Sequence, residues 1–174
     1  MSNDVKKRED GRGASLGDYW PLVSLIVLML LAATALQFKG QNESLMVFMH
    51  HFMGFFLIVY SMFKIFDLSG YADGFEMYDL LASRWRTYGY IYPFIELALG
   101  LAYLAFFWPI ATYVATIAVF SFGALGVFNG LSKGLDMDCP CMGSVLSVPL
   151  STVSLVENVG MTIMALIMLW MQGA

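Results

Sequence analysis

Charged residues are scarce in this chain, and cysteine is scarcer. Of the 174 residues, 13% are Asp, Glu, Lys or Arg and 59% are hydrophobic. Because a soluble domain carries about a quarter charged residues, this composition excludes an ordinary soluble protein. Only two cysteines are present, with no Cys-x-x-Cys, no repeat array and no low-complexity tract. The composition therefore indicates an integral membrane protein with no room for a separate soluble domain.

Five long apolar runs have the length of membrane-spanning helices. About 20 residues cross a hydrocarbon core of about 30 Å, and a backbone in lipid satisfies its hydrogen bonds as a helix. The predicted spans are Pro21–Phe38, Leu45–Phe66, Tyr88–Phe107, Ile110–Leu131 and Val153–Met171. We therefore predict an all-α membrane protein with a tail over residues 1–18, a first transmembrane helix over 19–38 and a main domain over 44–172. The Trp108-Pro109 pair predicts a tight turn between the third and fourth spans.

The segment between the second and third spans has its own periodicity. Residues 70–86 predict an amphipathic helix that lies in the membrane interface, with an ordinary loop as the alternative. The predicted apolar face consists of Tyr71, Phe75, Tyr78, Ala82 and Trp85. The predicted polar face consists of Asp73, Glu76, Asp79, Ser83 and Arg86.

The basic residues predict the orientation. With five spans, one side of the membrane receives the following residues: Lys6, Lys7, Arg8, Arg12, Lys64, Arg84, Arg86 and Lys133. Only Lys39 falls opposite, so the positive-inside rule predicts a cytoplasmic N-terminus and an external C-terminus in the cell (inner) membrane. Ala33 and Ala35 resemble a signal-peptidase site, but the long apolar run favours an uncleaved anchor. Cleavage would leave the rest of the topology unchanged.

Glu96 lies deep inside the third predicted span. A carboxylate at that depth costs a few kcal/mol or more, so it should face the bundle interior and be paired or protonated. A functional role and a structural hydrogen bond, for instance to Tyr60 or Tyr103, are both open.

Four further ionisable residues lie within the spans. His50 and His51 have either a functional role or a structural one, in which one histidine faces a partner and the other reaches the headgroups. Lys64 and Glu157 lie at similar depth near the same interface, so we expect an ion pair between them.

Glycines recur at four-residue spacing at the end of the fourth span. Gly126, Gly130 and Gly134 allow helices to approach closely in lipid. They predict packing within the bundle or, alternatively, a homodimer interface.

Both cysteines lie in the segment DMDCPCMG, residues 136 to 143. The predicted orientation makes this a cytoplasmic loop, where thiols are kept reduced. Cys139 and Cys141 suit a soft ion such as Cu(I) or Hg(II), with Met137 and Met142 as further candidate ligands. They also suit redox exchange through a strained, easily reduced disulfide. Two surface cysteines without chemistry are the third possibility.

Three stretches together resemble a known family of small membrane proteins, the MauE/DoxX-like family. They are HHFMGFFLIVYSMFKIFDLSGYADGFEMYDLLA, YGYIYPFIELALGLAYL and CPCMGSVLSVPLSTVSLVENVGM. The resemblance runs from about His50 to Leu169 and implies a four-helix membrane core, to which the first span is an addition. It also implies thiol chemistry, since MauE is linked to the maturation of methylamine dehydrogenase alongside a thioredoxin-like partner. That maturation is extracytoplasmic, in tension with the orientation predicted from the basic residues. Similar sequences joined to a heavy-metal-associated domain imply metal handling instead.

Two chemical functions therefore remain open. The first is a redox-associated accessory protein, not a classical enzyme, whose Cys139 and Cys141 exchange disulfides with a thioredoxin-like partner. The second is a carrier for Cu(I) or Hg(II), supplied by a metallochaperone, with Glu96, His50 and methionines along a path. A membrane scaffold without chemistry is the third. No feature points to nucleic acid.

Overall fold

The computed structural model describes residues 20–39, 44–79, 81–132 and 150–173. Within these residues the chain is helical and has no strand. The helices are α1 (Trp20–Lys39), α2 (Leu45–Phe66), α3 (Leu68–Tyr78), α4 (Arg86–Leu104), α5 (Pro109–Ser132) and α6 (Leu150–Gly173). The all-α fold class is confirmed.

Four of the described helices are long and apolar enough to cross a membrane. These segments are Trp20–Phe38, Leu45–Phe66, Pro109–Asn129 and Ser154–Gly173. The remaining long helix, α4, has 19 residues, but Arg86, Glu96 and several tyrosines lower its hydropathy. Length and composition therefore support a membrane protein with four candidate spans.

Helices α2 and α4 run antiparallel and touch through their backbones. A Cβ added to Gly100 would lie 3.1 Å from the carbonyl oxygen of Gly54, and one added to Gly54 would lie 3.0 Å from the carbonyl oxygen of Gly100. His50 near the start of α2 contacts Tyr103 near the end of α4, which fixes the antiparallel direction. The two glycines bring the helices close enough for side chains further along to meet.

A four-residue connection joins α4 to α5. Phe106 and Trp108 both have positive φ, 51° and 38°, and the Thr112 hydroxyl donates to the Phe107 carbonyl at 2.8 Å. The turn predicted at Trp108-Pro109 is therefore present. Because the chain turns at Ala105, α4 ends at Leu104, three residues before the predicted end of the span.

Helices α5 and α6 pack along each other inside the same chain. Gly123 leaves space for Asn158, whose Oδ1 would lie 2.5 Å from an added Cβ, and Gly126 is buried. This is the packing within the bundle that the glycine spacing predicts. Gly130 continues the same helix, and Gly134 lies outside the described residues; the homodimer remains a prediction.

Helix α3 is shorter than the helix predicted over residues 70–86. It begins after Asp67, whose side chain accepts from the Gly70 amide at 3.0 Å, and it ends at Tyr78. Tyr71 and Phe75 are buried as predicted.

Two assignments made by extending that period were wrong. Asp79, expected on the polar face, is 1% exposed, and Trp85, expected on the apolar face, is 71% exposed. Both lie beyond the last helical residue, where the helical period no longer applies. Asp79 instead closes the next turn, because its Oδ1 accepts from the amides of Leu81 at 2.8 Å and Ala82 at 2.9 Å. Burial raises the pKa of this carboxyl, while those two hydrogen bonds act in the opposite direction.

Helix α1 lies at the edge of the bundle. Met29 joins the central core, and Leu22, Leu25 and Ile26 pack against it. The rest of α1 has exposed Val and Leu side chains, as expected of a helix that faces lipid.

Candidate functional site

Lys64 is the centre of a buried charged cluster that joins three helices. Its ammonium donates to Glu96 Oε1 at 2.5 Å and to Glu157 Oε1 at 3.1 Å. These residues come from α2, α4 and α6, and their exposed fractions are 4%, 0% and 7%. We call Lys64, Glu96 and Glu157 the charged cluster. The expected ion pair between Lys64 and Glu157 is present, whereas Glu96 pairs with Lys64 rather than with a tyrosine.

Two aromatic rings cover the ammonium from the other side. Lys64 Nζ lies 5.6 Å from the ring centre of Tyr71 and 5.3 Å from that of Tyr92. Cation–π contacts of this kind gain strength when the cation is desolvated. Tyr71 was expected on the apolar face of the interfacial helix, whereas Tyr92 was not among the predicted site residues. The only signal for Tyr92 was its position one helical turn before Glu96.

The charged cluster is buried, and its charges do not balance when both glutamates are ionised. One ammonium faces two carboxyl groups, and Glu96 Oε2 has no hydrogen-bond partner among the described residues. Removing a charge from water costs several kcal/mol unless it is paired. Burying these three ionisable groups therefore costs free energy, and the packing of the helices alone does not explain why they are present.

An apolar groove of about 250 Å³ lies beside Glu157, between α1, α2 and α6. Its walls include Leu22 and Ile26 of α1 and the stacked rings of Phe56 and Tyr60, whose centres are 4.2 Å apart. Glu157 lines this groove, whereas Glu96 is covered on all sides. The two carboxyl groups thus differ in their access to the surroundings.

His50 belongs to a separate polar cluster nearer the other end of α2. Its Nδ1 donates to the Tyr103 carbonyl oxygen at 3.0 Å, because a carbonyl can only accept. In the neutral ring, Nε2 then accepts from the Tyr113 hydroxyl at 2.5 Å. His50 is 14 residues from Lys64, or about 21 Å along α2, so it does not join the charged cluster. His51 is half-buried and lies edge-on to Phe106.

The predicted thiol and thioether ligands lie in the segment between α5 and α6. Cys139, Cys141, Met137 and Met142 all fall outside the described residues. Among the residues that the structure describes, no three His, Cys, Asp or Glu side chains are grouped so that they could hold a metal ion. The chain does return from this segment into α6 at Leu150, seven residues before Glu157. Glu157 is therefore about 10 Å along the helix from the end of the cysteine segment.

Most of the chain is similar to a known protein family. A family model described as methylamine utilisation protein MauE matches residues 42–171, from just before α2 to near the end of α6. The charged cluster and the cysteine segment lie within the match, and α1 precedes it. No curated protein and no solved structure matches the chain. Since the family model covers more than half of its length, the chain belongs to the MauE family.

Proposed function

We propose that this protein is a membrane accessory protein that exchanges disulfides with a thioredoxin-like partner through Cys139 and Cys141. The observation that carries the proposal is the contact between Lys64 and Glu157. It holds the first turns of α6, which the cysteine segment enters, against the end of α2. Membership of the MauE family supports the same function.

The same contact supports a fifth membrane crossing by α4. Lys64 is the third residue from the end of α2, and Glu157 is the eighth residue of α6. If α4 did not cross, α6 would begin on the opposite face of the membrane from the end of α2. A distance of 3.1 Å between the two side chains therefore favours five crossings over that topology. Helix α4 would be about 28 Å long, enough to cross a hydrocarbon core of about 30 Å with slight thinning.

Five crossings put the cysteine segment on the side of the N-terminus, and the distribution of basic residues makes that side the cytoplasm. On this side α3 lies in the interface. Its exposed Asp73 and Glu76 pair with Arg86 at the start of α4, and its buried Tyr71 and Phe75 pack inward.

The proposed reaction is a two-electron exchange. The thiolate of one cysteine attacks the partner's disulfide, a mixed disulfide forms, and one partner thiolate leaves. The second cysteine, also as a thiolate, attacks the mixed disulfide and releases the other partner thiolate. The pair is oxidised to a Cys139–Cys141 disulfide and the partner is reduced to a dithiol, which takes up the two protons that the cysteines lost.

Single substitutions test this reaction. Of the two variants Cys139→Ser and Cys141→Ser, the one that lacks the resolving thiol should trap the partner as a covalent adduct. That adduct is visible on a non-reducing gel and absent after reduction. The double variant is the control and should trap nothing.

Failure to trap an adduct in either single variant would overturn the redox function. Metal handling would then be supported if the reduced protein bound about one Cu(I) or Hg(II) through both thiolates. Each serine variant should weaken that binding, and so should a lower pH, because the thiols must lose their protons. If neither a covalent adduct nor bound metal were found, the membrane scaffold without chemistry would be the remaining function.

A further inference from the structure

With Glu96 and Glu157 both ionised, the charged cluster would carry more negative than positive charge. Lys64 provides one positive charge against Glu96 and Glu157, and the described residues around them add no second cation. Tyr71 and Tyr92 contact the ammonium with neutral rings.

Among the residues that the structure describes, the other packed elements supply no second cation either. Tyr60 of α2 and Tyr88 of α4 are further titratable groups near the two carboxyls. Helix α5 contains no charged residue, and α1 contributes only apolar side chains to the adjacent groove. The acidic residues of α3 are exposed and pair with Arg86.

The geometry of the two carboxyl groups suggests what balances the excess negative charge of the cluster. Both contact the same ammonium through Oε1, at 2.5 and 3.1 Å, so these two oxygen atoms lie close together. Two carboxylates can only accept hydrogen bonds, so this approach is repulsive when both are ionised. Glu96 Oε2, on a fully buried side chain, has no donor among the described residues. One proton between the carboxyls would turn the repulsion into a hydrogen bond and make the cluster neutral.

We propose that Glu96 and Glu157 share one exchangeable proton, so that the charged cluster is a proton-binding site with Lys64 as its fixed counter-ion. The site is independent of the thiol reaction proposed above. Glu157, at the groove, is the carboxyl through which the proton enters and leaves, whereas Glu96 is covered.

Sharing has a distinctive consequence. With either glutamate replaced by glutamine, one carboxylate remains to face one ammonium and the cluster is neutral without a proton. Both Glu96→Gln and Glu157→Gln should therefore lose the bound proton. A proton that one glutamate held because of burial alone would instead survive when the other glutamate is replaced.

Infrared spectroscopy of the protein in lipid vesicles tests the proposal, because a protonated carboxyl has a C=O stretching band that an ionised one lacks. The background should be Asp79→Asn, since Asp79 is a second buried carboxyl outside the cluster. At neutral pH we expect one such band, which shifts in deuterated water and disappears in both glutamine variants. The exposed Glu76→Gln is the matched control and should leave the band intact.

Three results would overturn the proposal. They are no band at neutral pH, a band that survives in either glutamine variant, and a band that Na⁺ removes but choline does not. The last would identify a site for a metal cation. If one glutamine variant does not fold, as judged by its helical circular dichroism, Lys64→Met replaces it. It should show two such bands instead of one, because both carboxyls then need a proton, and a single band would overturn the proposal.

Discussion

Replacing Lys64 by methionine should destabilise the protein in a strongly pH-dependent way. Methionine keeps the length and apolar stem of the side chain, but it leaves Glu96 and Glu157 without a counter-ion in a buried site. Both carboxyls must then be protonated for the bundle to form, whereas the wild type needs only one proton. The variant therefore pays for one extra protonation.

The size of that penalty follows from the ordinary acidity of glutamate. Its reference pKa is about 4.3, so keeping one carboxyl neutral at pH 7 costs about 3.7 kcal/mol at about 1.4 kcal/mol per pH unit. Removal of one partner from a buried ion pair typically costs about 3–5 kcal/mol, in agreement. A carboxyl that folds protonated contributes stability below its unfolded pKa and loses it as pH rises. The deficit of Lys64→Met should therefore shrink to about 1 kcal/mol at pH 5.

The stability difference between Lys64→Met and the wild type can be measured by unfolding the purified proteins in mixed micelles with SDS, at pH 7 and at pH 5. Arg84→Met, which removes an exposed basic residue, is the matched control and should change little at either pH. Adding Glu157→Gln to Lys64→Met should recover most of the loss at pH 7, because only one carboxyl then remains to be neutralised. An equal deficit at both pH values would refute the electrostatic reasoning.

Three further predictions concern packing, a turn and topology. Gly100→Ala should cost about 1–3 kcal/mol by overpacking, since its Cβ would meet the Gly54 carbonyl oxygen at 3.1 Å. Gly160→Ala, where a Cβ meets nothing within 4 Å, should be neutral or stabilising in the same unfolding assay, and the reverse order would contradict the close helix contact. Asp79→Ala should lower the free energy of unfolding by about 1–3 kcal/mol, because the amides of Leu81 and Ala82 lose their hydrogen-bond acceptor. Because burial raises the pKa of Asp79, Asp79→Asn should gain stability relative to wild type as pH rises above about 4; a pH-independent difference would contradict the charge effect. A membrane-impermeant thiol reagent should label the cysteines only after lysis, and labelling of intact cells would refute the cytoplasmic placement.

Much of the fold was accessible from hydropathy alone. Helix α2 has the predicted bounds, Leu45–Phe66, because an apolar run with polar residues at both ends defines a helix in lipid. The end of α4 was not accessible, since Phe107 is as apolar as the helix that precedes it. There the positive φ of Phe106, not a change of composition, accompanies the end of the helix.

The charged cluster was only partly accessible. Depth in the membrane predicted that Lys64 and Glu157 meet, because both lie near the same interface. Depth did not predict that Glu96 joins them, since this depends on the rotation of α4 about its axis. That rotation is set where Gly54 and Gly100 bring α2 and α4 together, a contact between helices that a pattern within one helix does not contain.

The proposed thiol exchange is tested most directly by whether Cys139 and Cys141 cycle together. Purified protein is equilibrated with mixtures of oxidised and reduced thioredoxin, quenched with acid, alkylated and analysed by mass spectrometry. We expect a Cys139–Cys141 disulfide that forms in one two-electron step and is readily reduced, because one intervening residue strains the bond. Two cysteines that stay alkylated as free thiols at every ratio would contradict it.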